Sequence, residues 1–237
     1  YILESRTANG TLPENPVAVK TIVSTELCQK IAQNYGCELK NVLTGFKFIG
    51  DKIKQHEMTD GKKFVFGYEE SYGCLIGDFV RDKDAVQASL MFCEAADYYK
   101  KQGKNLVDVL NEIYEKYGYF FNQLDNYAFE GASGMQKMAD MMETTRNNIP
   151  SEIAGSKVVW VADYKTGKIK DLVTGEESET GLPKSNVLSY RCENGNTAIV
   201  RPSGTEPKIK IYITVKSDSR ENAEKALEKA KEQSEKE

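Results

Sequence analysis

Short continuous apolar runs alternate with helical stripes through the first half of the chain. The run over 16–23 has the nearly unbroken apolar character of a strand that is covered on both faces. The segments 37–43 and 64–66 predict two further strands. Residues 24–36 and 46–57 have the spacing of amphipathic helices. Strands that alternate with helices predict a mainly parallel sheet with right-handed crossovers.

Two more helices complete this half. Asp82 or Asp84 is expected to cap a long helix that reaches Gln102, and Asn105 a second helix that ends at Gly118. The long helix has dense apolar content, so we expect it to be well buried. We place the boundary of an α/β three-layer domain, residues 1–118, at this glycine.

Strands dominate the second half. They are expected at 119–128, 158–161, 187–192, 197–200 and 208–215. A helix over 132–146 carries four methionines, which we interpret as core. Residues 163–186 are expected to form turns, and Asp218 with Glu221 forms a capping box for a last helix. The pattern predicts an α+β domain over 119–237, with an antiparallel sheet and helices on one face.

The loop before the last strand has a composition that suits an anion. The strand itself alternates apolar and polar residues, as a half-buried strand does. A guanidinium offers a planar fork to phosphate oxygens, hydroxyls donate hydrogen bonds, and a glycine lets backbone amides approach. These candidate ligands are Arg201, Ser203, Gly204 and Thr205, with Lys208 and Lys210 close by. Glu206 has the wrong sign for such a site, so an ordinary polar loop is the alternative.

A second candidate site follows the third strand, where ligands of parallel sheets bind. Between Gly67 and Gly73, the chain places Glu69, Glu70 and Ser71, whose oxygens can hold sugar hydroxyls. A solvated acidic turn is the alternative. 

Two weaker signals lie nearby. Thr44, Gly45 and Lys47 open a helix after the second strand, where anions or hydroxyls are favoured. Lys83 lies near a helix start and His56 in a charged segment, and both have a surface position as the default.

Composition narrows the classes of function. The net charge of −4 and the pI near 5.4 argue against nucleic acid or an anionic membrane as a partner. The five cysteines include no CxxC pair, which favours a reducing, cytoplasmic environment. No apolar run is long enough to span a bilayer, and we find no Walker loop or zinc spacing. Since the chain starts at Tyr1, we expect a fragment of a longer protein.

Four segments, in this order, resemble the α-D-phosphohexomutase family of phosphoglucomutases and phosphomannomutases. They are Thr44-Gly45-Phe46-Lys47, Gly67 to Gly73, Arg81-Asp82-Lys83-Asp84 and Arg201-Pro202-Ser203-Gly204-Thr205. Their order and separation match the family's third and fourth domains over nearly the whole chain. The Glu-Glu-Ser-Tyr-Gly form is most similar to the glucose-preferring branch, and Arg-Pro-Ser-Gly-Thr-Glu-Pro to bacterial members.

The resemblance implies an isomerase that moves a phosphate between hexose positions through a phosphoserine and glucose 1,6-bisphosphate. It implies that residues 1–118 bind the sugar and residues 119–237 bind the phosphate that is not reacting. The implied sugar ligands are Thr44, Gly45, Lys47, Glu69 and Ser71. The implied phosphate ligands are Arg201, Ser203, Gly204 and Thr205, with Lys83 and Lys210 as auxiliary contacts.

The chain departs from the family in one large respect. It lacks the Thr-x-Ser-His-Asn-Pro segment of the phosphorylated serine and the Asp-x-Asp-x-Asp loop that holds Mg²⁺. Both belong to the family's first two domains. We therefore expect a carboxyl-terminal fragment that is silent alone, whose partners are a phosphosugar and the missing amino-terminal domains.

The sequence leaves three other interpretations of the function open. The parent enzyme could be a phosphomannomutase or a phosphopentomutase, since the same scaffold serves related sugars. A non-catalytic sugar-phosphate-binding module would need a gene product that starts near Tyr1. A purely structural interaction protein predicts no affinity for phosphate.

Overall fold

The first 118 residues form one unit of the computed structural model, Tyr1–Gly118, and the rest form a second, Tyr119–Glu237. The structure describes residues 1–59, 61–204 and 206–234. The elements of the first unit are α1 (Ile2–Ala8), β1 (Pro16–Thr21), α2 (Leu27–Asn34), β2 (Glu38–Val42), α3 (Phe46–Thr59), β3 (Lys63–Tyr68), β4 (Cys74–Leu75), α4 (Ala85–Lys100) and α5 (Leu106–Tyr117).

The sheet of this unit has the order β2-β1-β3-β4. Strand β1 runs parallel to β2 and β3, and β4 pairs antiparallel with β3. Helix α3 packs on one face against Val17 and Val19, while Ala32 of α2 packs on the other face against Ala18 and Val65. Successive residues of β1 point to opposite faces, so both faces are covered. The predicted α/β three-layer architecture with a mainly parallel sheet is confirmed.

Helix starts were predicted with mixed success. Asp84 caps α4, because its carboxylate accepts hydrogen bonds from the amides of Val86 and Gln87. Asn105 caps α5 in a capping box with Asp108. For α2 the predicted cap Ser24 was wrong, and the assigned N-cap Glu26 makes no side-chain hydrogen bond. The other predicted cap, Thr25, does act at this helix start, because its hydroxyl accepts a hydrogen bond of 3.3 Å from the Leu27 amide. The sequence reading also missed α1 and β4.

The expectation that α4 is well buried was wrong. Of its residues only Tyr99 is buried, while Val86 is 81% exposed and Leu90 and Phe92 are each 69% exposed. The helix packs beside the two-residue strand β4 and α5, which cover one side of it. The expectation for His56 was wrong in the opposite sense. It was expected at the surface, but it lies on α3 with only 5% of its area exposed.

The second unit is built around an antiparallel sheet. Its elements are β5 (Tyr119–Ala128), α6 (Gly134–Asn147), β6 (Glu152–Ile153), β7 (Ser156–Asp163), β8 (Lys168–Asp171), β9 (Glu177–Glu179), β10 (Leu188–Cys192), β11 (Thr197–Pro202), β12 (Lys208–Ser217) and α7 (Arg220–Ser234). The strand order is β5-β12-β11-β10-β7-β8-β9, and β6 pairs with β7.

Both helices of this unit lie on one face of its sheet. Met138 and Met142 of α6 pack with Ile209, and Ala230 of α7 packs with Ile213 and Val215. The three β12 residues are separated by even numbers of positions, so they share one face. The predicted α+β architecture is confirmed.

Three local expectations in this unit were wrong. The segment 163–186 contains β8 and β9 in addition to turns. Strand β12 is not half-buried: Tyr212 and Thr214, on the face away from the helices, are 6% and 7% exposed. The last helix is capped by Ser219, whose hydroxyl accepts from the Asn222 amide at 3.3 Å, and not by Asp218.

Candidate functional site

The loops after β2 and β3 meet at the carboxyl edge of the first sheet. Glu69 follows β3, and its Oε1 accepts a hydrogen bond of 2.9 Å from the backbone amide of Gly45, which follows β2. Only 9% of Glu69 is exposed. Parallel strands place their following loops at one edge, so two motifs that are distant in sequence become one site with Thr44 beside it.

Lys83 joins this site from the segment before α4. A Cβ added to Gly73 would lie 2.7 Å from Cδ of Lys83 and 3.3 Å from Oε2 of Glu69. Gly73 therefore keeps the space in which the lysine stem and the carboxylate approach each other. The Lys83 ammonium lies 5.6 Å from the centroid of the Phe46 ring and 3.3 Å from the Asp82 carboxylate. The Lys83 backbone amide and ammonium both lower the pKa of Asp82.

Two predicted ligands stand on the exposed side of this site. Ser71 is exposed in the turn after Glu69. Lys47 is exposed on the first turn of α3, and its ammonium lies 5.0 Å from the ring centroid of Phe48. Both side chains are accessible to a ligand from solvent.

A buried lysine that sequence reasoning missed supports the same edge of the sheet. Lys20 has a side chain that is 0% exposed, and its ammonium contacts the carbonyl of Ser24 at 2.9 Å and the carboxylate of Glu26 at 3.1 Å. The neighbouring Thr21 hydroxyl donates to Oε2 of Glu70 at 3.1 Å. The buried Lys20 ammonium therefore stabilises the turn after β1. The Thr21 hydroxyl at this turn then holds the acidic loop through Glu70. A lysine inside an otherwise apolar strand was the available signal.

A second cluster lies in the other unit, at the turn between β11 and β12. Arg201 is the direct register partner of Lys210, so the two cations stand side by side on one face of the sheet. The connection is shorter than the predicted strands at 197–200 and 208–215 imply, because Arg201 and Pro202 belong to β11. The Ser203 amide donates to the Lys208 carbonyl at 2.8 Å and closes the turn.

Two described residues of this turn differ in their surroundings: the Ser203 hydroxyl accepts a hydrogen bond of 3.3 Å from the Glu206 amide, whereas Gly204 has open space beside it. Gly204 is exposed, and a Cβ added to it would meet nothing within 4 Å. Glu206, whose sign counted against an anion site, forms an ion pair with Lys208, which lowers the pKa of the carboxyl group. Thr205, a predicted ligand, lies outside the described residues.

A metal does not fit the described part of the chain. Within residues 1–59, 61–204 and 206–234, no three His, Cys, Asp or Glu side chains are grouped so that they could hold an ion. Among the helices that the structure describes, none has the length and apolar character needed to cross a membrane.

Comparisons with known proteins agree with the two-unit architecture. The family model for the α/β/α domain III of phosphoglucomutase/phosphomannomutase matches residues 1–117, and the model for the C-terminal domain of these enzymes matches residues 151–231. The chain belongs to the phosphoglucomutase/phosphomannomutase family. This confirms the resemblance that the four sequence segments indicated.

Curated members of the family from staphylococci are similar over most of the chain. A phosphoglucomutase of Staphylococcus epidermidis is 41% identical over 204 residues, which cover 86% of this chain and 37% of the relative. A phosphoglucomutase of Staphylococcus haemolyticus is 40% identical over 219 residues, which cover 92% of this chain and 39% of the relative. The chain thus spans well under half of the length of these relatives.

Solved structures of the family share the fold. Parafusin, a phosphoglucomutase from Paramecium in an open form, matches 95% of this chain and 38% of its own with a TM-score of 0.62 at 21% identity. A phosphoglucomutase/phosphomannomutase family protein from Burkholderia thailandensis matches 96% of this chain and 38% of its own with a TM-score of 0.54 at 12% identity.

Proposed function

We propose that this chain supplies the sugar-binding and distal-phosphate-binding domains of a phosphoglucomutase, which interconverts glucose 1-phosphate and glucose 6-phosphate. The observation that carries the proposal is the hydrogen bond between Glu69 and Gly45, because it joins two separate family motifs into one polar site. The identity of about 40% to staphylococcal phosphoglucomutases supports glucose as the sugar and a bacterial cytoplasm as the location.

The first unit would hold the sugar. The Glu69 carboxylate has one oxygen engaged by the Gly45 amide, which fixes its direction and leaves its other lone pairs for hydroxyl groups. Ser71, Thr44 and Lys47 would complete the contacts to the sugar, and Lys83 would add a positive charge beside them. A wrong epimer leaves such buried polar atoms unpaired, so the site discriminates between sugars.

The second unit would hold the phosphate that is not reacting. Arg201 and Lys210 stand side by side, and the Ser203 hydroxyl and the exposed Gly204 amide would donate hydrogen bonds to the phosphate. We include Thr205 among these ligands from its motif. Each charge-assisted contact contributes about 1.5–3 kcal/mol. Holding the distal phosphate converts this binding energy into alignment of the reacting one.

Other parts of the reaction would come from the amino-terminal part of the parent enzyme. We assign the phosphorylated serine and the Mg²⁺ ligands to that part, because the two motifs that carry them in the family are absent from the sequence of this chain. When bound there, Mg²⁺ would offset negative charge on the phosphate that is transferred. The bisphosphate of glucose would serve as intermediate and activator.

Isothermal titration with glucose 1,6-bisphosphate tests the phosphate site. We expect Arg201→Ala to abolish most of the binding heat, because the guanidinium offers a planar pair of donors to phosphate oxygens, which Lys210 beside it does not. Arg191→Ala is the matched control: Arg191 pairs with Thr197, at the other end of β11. Equal heats for the two variants would remove Arg201 from the site.

Complementation tests the whole proposal. The chain alone is expected to show no turnover, and a mixture with the amino-terminal part of the Staphylococcus epidermidis enzyme is expected to isomerise glucose 1-phosphate. Faster turnover of mannose 1-phosphate in the mixture would identify a phosphomannomutase instead.

A further inference from the structure

Helix α4 carries an exposed apolar stripe. Val86, Leu90 and Cys93 recur at spacings of four and three residues, so they lie along one side of the helix. Val86 is 81% exposed, Leu90 is 69% exposed and Cys93 is also exposed. We call these three residues the α4 stripe.

The opposite side of the same helix is apolar too. Ala88, Met91 and Ala95 are half-buried and line a cavity of about 530 Å³ within the first unit. The two apolar sides are separated by polar residues such as Gln87 and Glu94, and Asp97 ends the stripe one turn beyond Cys93. An outer helix needs only one apolar side, so α4 presents one more than packing within its own unit requires. Packing within the first unit explains the apolar side that lines the cavity. It does not explain the α4 stripe on the opposite side.

The lengths of the relatives point to what covers the stripe. The two matching family models are those of a domain III and of a C-terminal domain, and the chain spans 37% of the Staphylococcus epidermidis relative. Such relatives therefore contain a large body of protein that has no counterpart here. Three exposed side chains make too small a surface for a stable dimer, which buries about 800 Å² per partner. A domain of the same polypeptide docks on a small surface, because covalent linkage gives it an effective concentration in the millimolar range.

We propose that the α4 stripe is a docking surface for the amino-terminal part of a phosphoglucomutase chain. The inference rests on the proposed function, and it goes beyond it by assigning an interface to residues that take no part in sugar or phosphate binding. Burial of Val86 and Leu90 would drive the contact, and Cys93 would become inaccessible at its centre.

Cysteine labelling gives a direct test. Cys93 is exposed, whereas the other four cysteines of the chain are buried or half-buried. We would compare N-ethylmaleimide labelling of Cys93, followed by mass spectrometry, in two proteins. One is the 237-residue chain, and the other is the same chain preceded by the amino-terminal part of the Staphylococcus epidermidis phosphoglucomutase. Labelling is expected to be slower by roughly tenfold or more in the longer protein, because docking must open before the reagent enters.

A pair of matched variants connects the protection to the stripe. In the longer protein, Val86→Glu is expected to restore fast labelling of Cys93, because a buried unpaired carboxylate opposes docking. Val173→Glu introduces the same change at a position that is 69% exposed in the second unit, and is expected to leave Cys93 protected. When each substitution is made in the 237-residue chain, the melting temperature should stay that of the unchanged chain, which shows that the variants fold.

Two results would overturn the proposal. One is equal labelling of Cys93 in the short and the long protein. The other is a 237-residue chain that sediments as a dimer with Cys93 protected, which would make a second copy the occupant. Turnover of glucose 1-phosphate by the longer protein is measured separately. Protection of Cys93 without turnover would reject the proposed function and retain the interface. Turnover with full labelling of Cys93 would retain the proposed function and reject the interface.

Discussion

Glu69 shows at the scale of one residue how the fold turns a sequence motif into a site. Its carboxylate is almost fully buried and accepts the amide of Gly45 at 2.9 Å. The sequence indicated that both residues could bind polar ligands. It did not indicate that they contact each other, because the hydrogen bond depends on β2 and β3 both flanking β1.

Removing this carboxylate is expected to weaken the first unit. Glu69→Ala leaves the Gly45 amide without its acceptor, which costs about 1–3 kcal/mol. Urea unfolding followed by far-UV circular dichroism measures the loss. Glu115→Ala, at an exposed carboxylate of α5, is the control and is expected to change little. Equal midpoints for the two variants would show that the hydrogen bond contributes no stability.

Lys20 makes a second prediction at this scale. Lys20→Met keeps the length of the side chain but leaves the carbonyls of Thr21 and Ser24 and the carboxylate of Glu26 without the ammonium. Glu26 is 34% exposed and regains water, so we expect a loss of about 2–3 kcal/mol, below the usual cost of breaking a fully buried pair. The exposed Lys30 of α2 provides the control Lys30→Met. If both variants unfold at the same urea concentration, the buried ammonium does not stabilise the turn.

At the scale of elements, helix starts followed local chemistry where a side chain reached the right amide. Asn105 accepts from the amides of Val107 and Asp108, and the Asp108 carboxylate accepts from the Asn105 amide. All of these contacts lie within four consecutive residues, so the sequence alone was sufficient to predict Asn105 as the cap, although the reciprocal bond from Asp108 was not predicted. At α7 the neighbouring Ser219 took the cap, because the helix begins one residue later than the predicted box requires.

These caps differ in their expected contributions. Asn105→Ala should destabilise the first unit by about 1 kcal/mol, since two amides of α5 lose their acceptor. Ser219→Ala should destabilise the second unit, and Asp218→Ala should do so less. Thermal unfolding of the three variants checks this order. A larger effect of Asp218→Ala than of Ser219→Ala would contradict the cap that the structure assigns.

Helix α4 shows that the composition of an element does not predict its burial reliably. Its dense apolar content predicted burial, yet Val86 and Leu90 are exposed. An apolar composition indicates that a helix has surface to bury. It does not indicate which elements pack against that surface. In this chain β4 and α5 cover one side only.

At the scale of the whole molecule, each unit contains a buried thiol that reports its own unfolding. Cys37 lies in the first unit and Cys192 in the second, and burial raises the pKa of each to about 11. Near pH 8 only about one thiol in a thousand is ionised at that pKa, and the thiolate is the reactive form. In a urea series, we expect each cysteine to label only where its own unit opens, and Glu69→Ala to shift the labelling of Cys37 alone. A shift of both by the same amount would show that the two units unfold as one.

The sequence by itself determined the class of each domain, most of the strands and the residue types of both sites, because strand and helix periods and cap residues act over short distances. Tertiary structure alone decided the contact between Glu69 and Gly45, the pairing of Arg201 with Lys210, and the burial of Tyr212. These features depend on strand order, register and covering layers. Such features join residues that are far apart in the chain, and no local pattern records them.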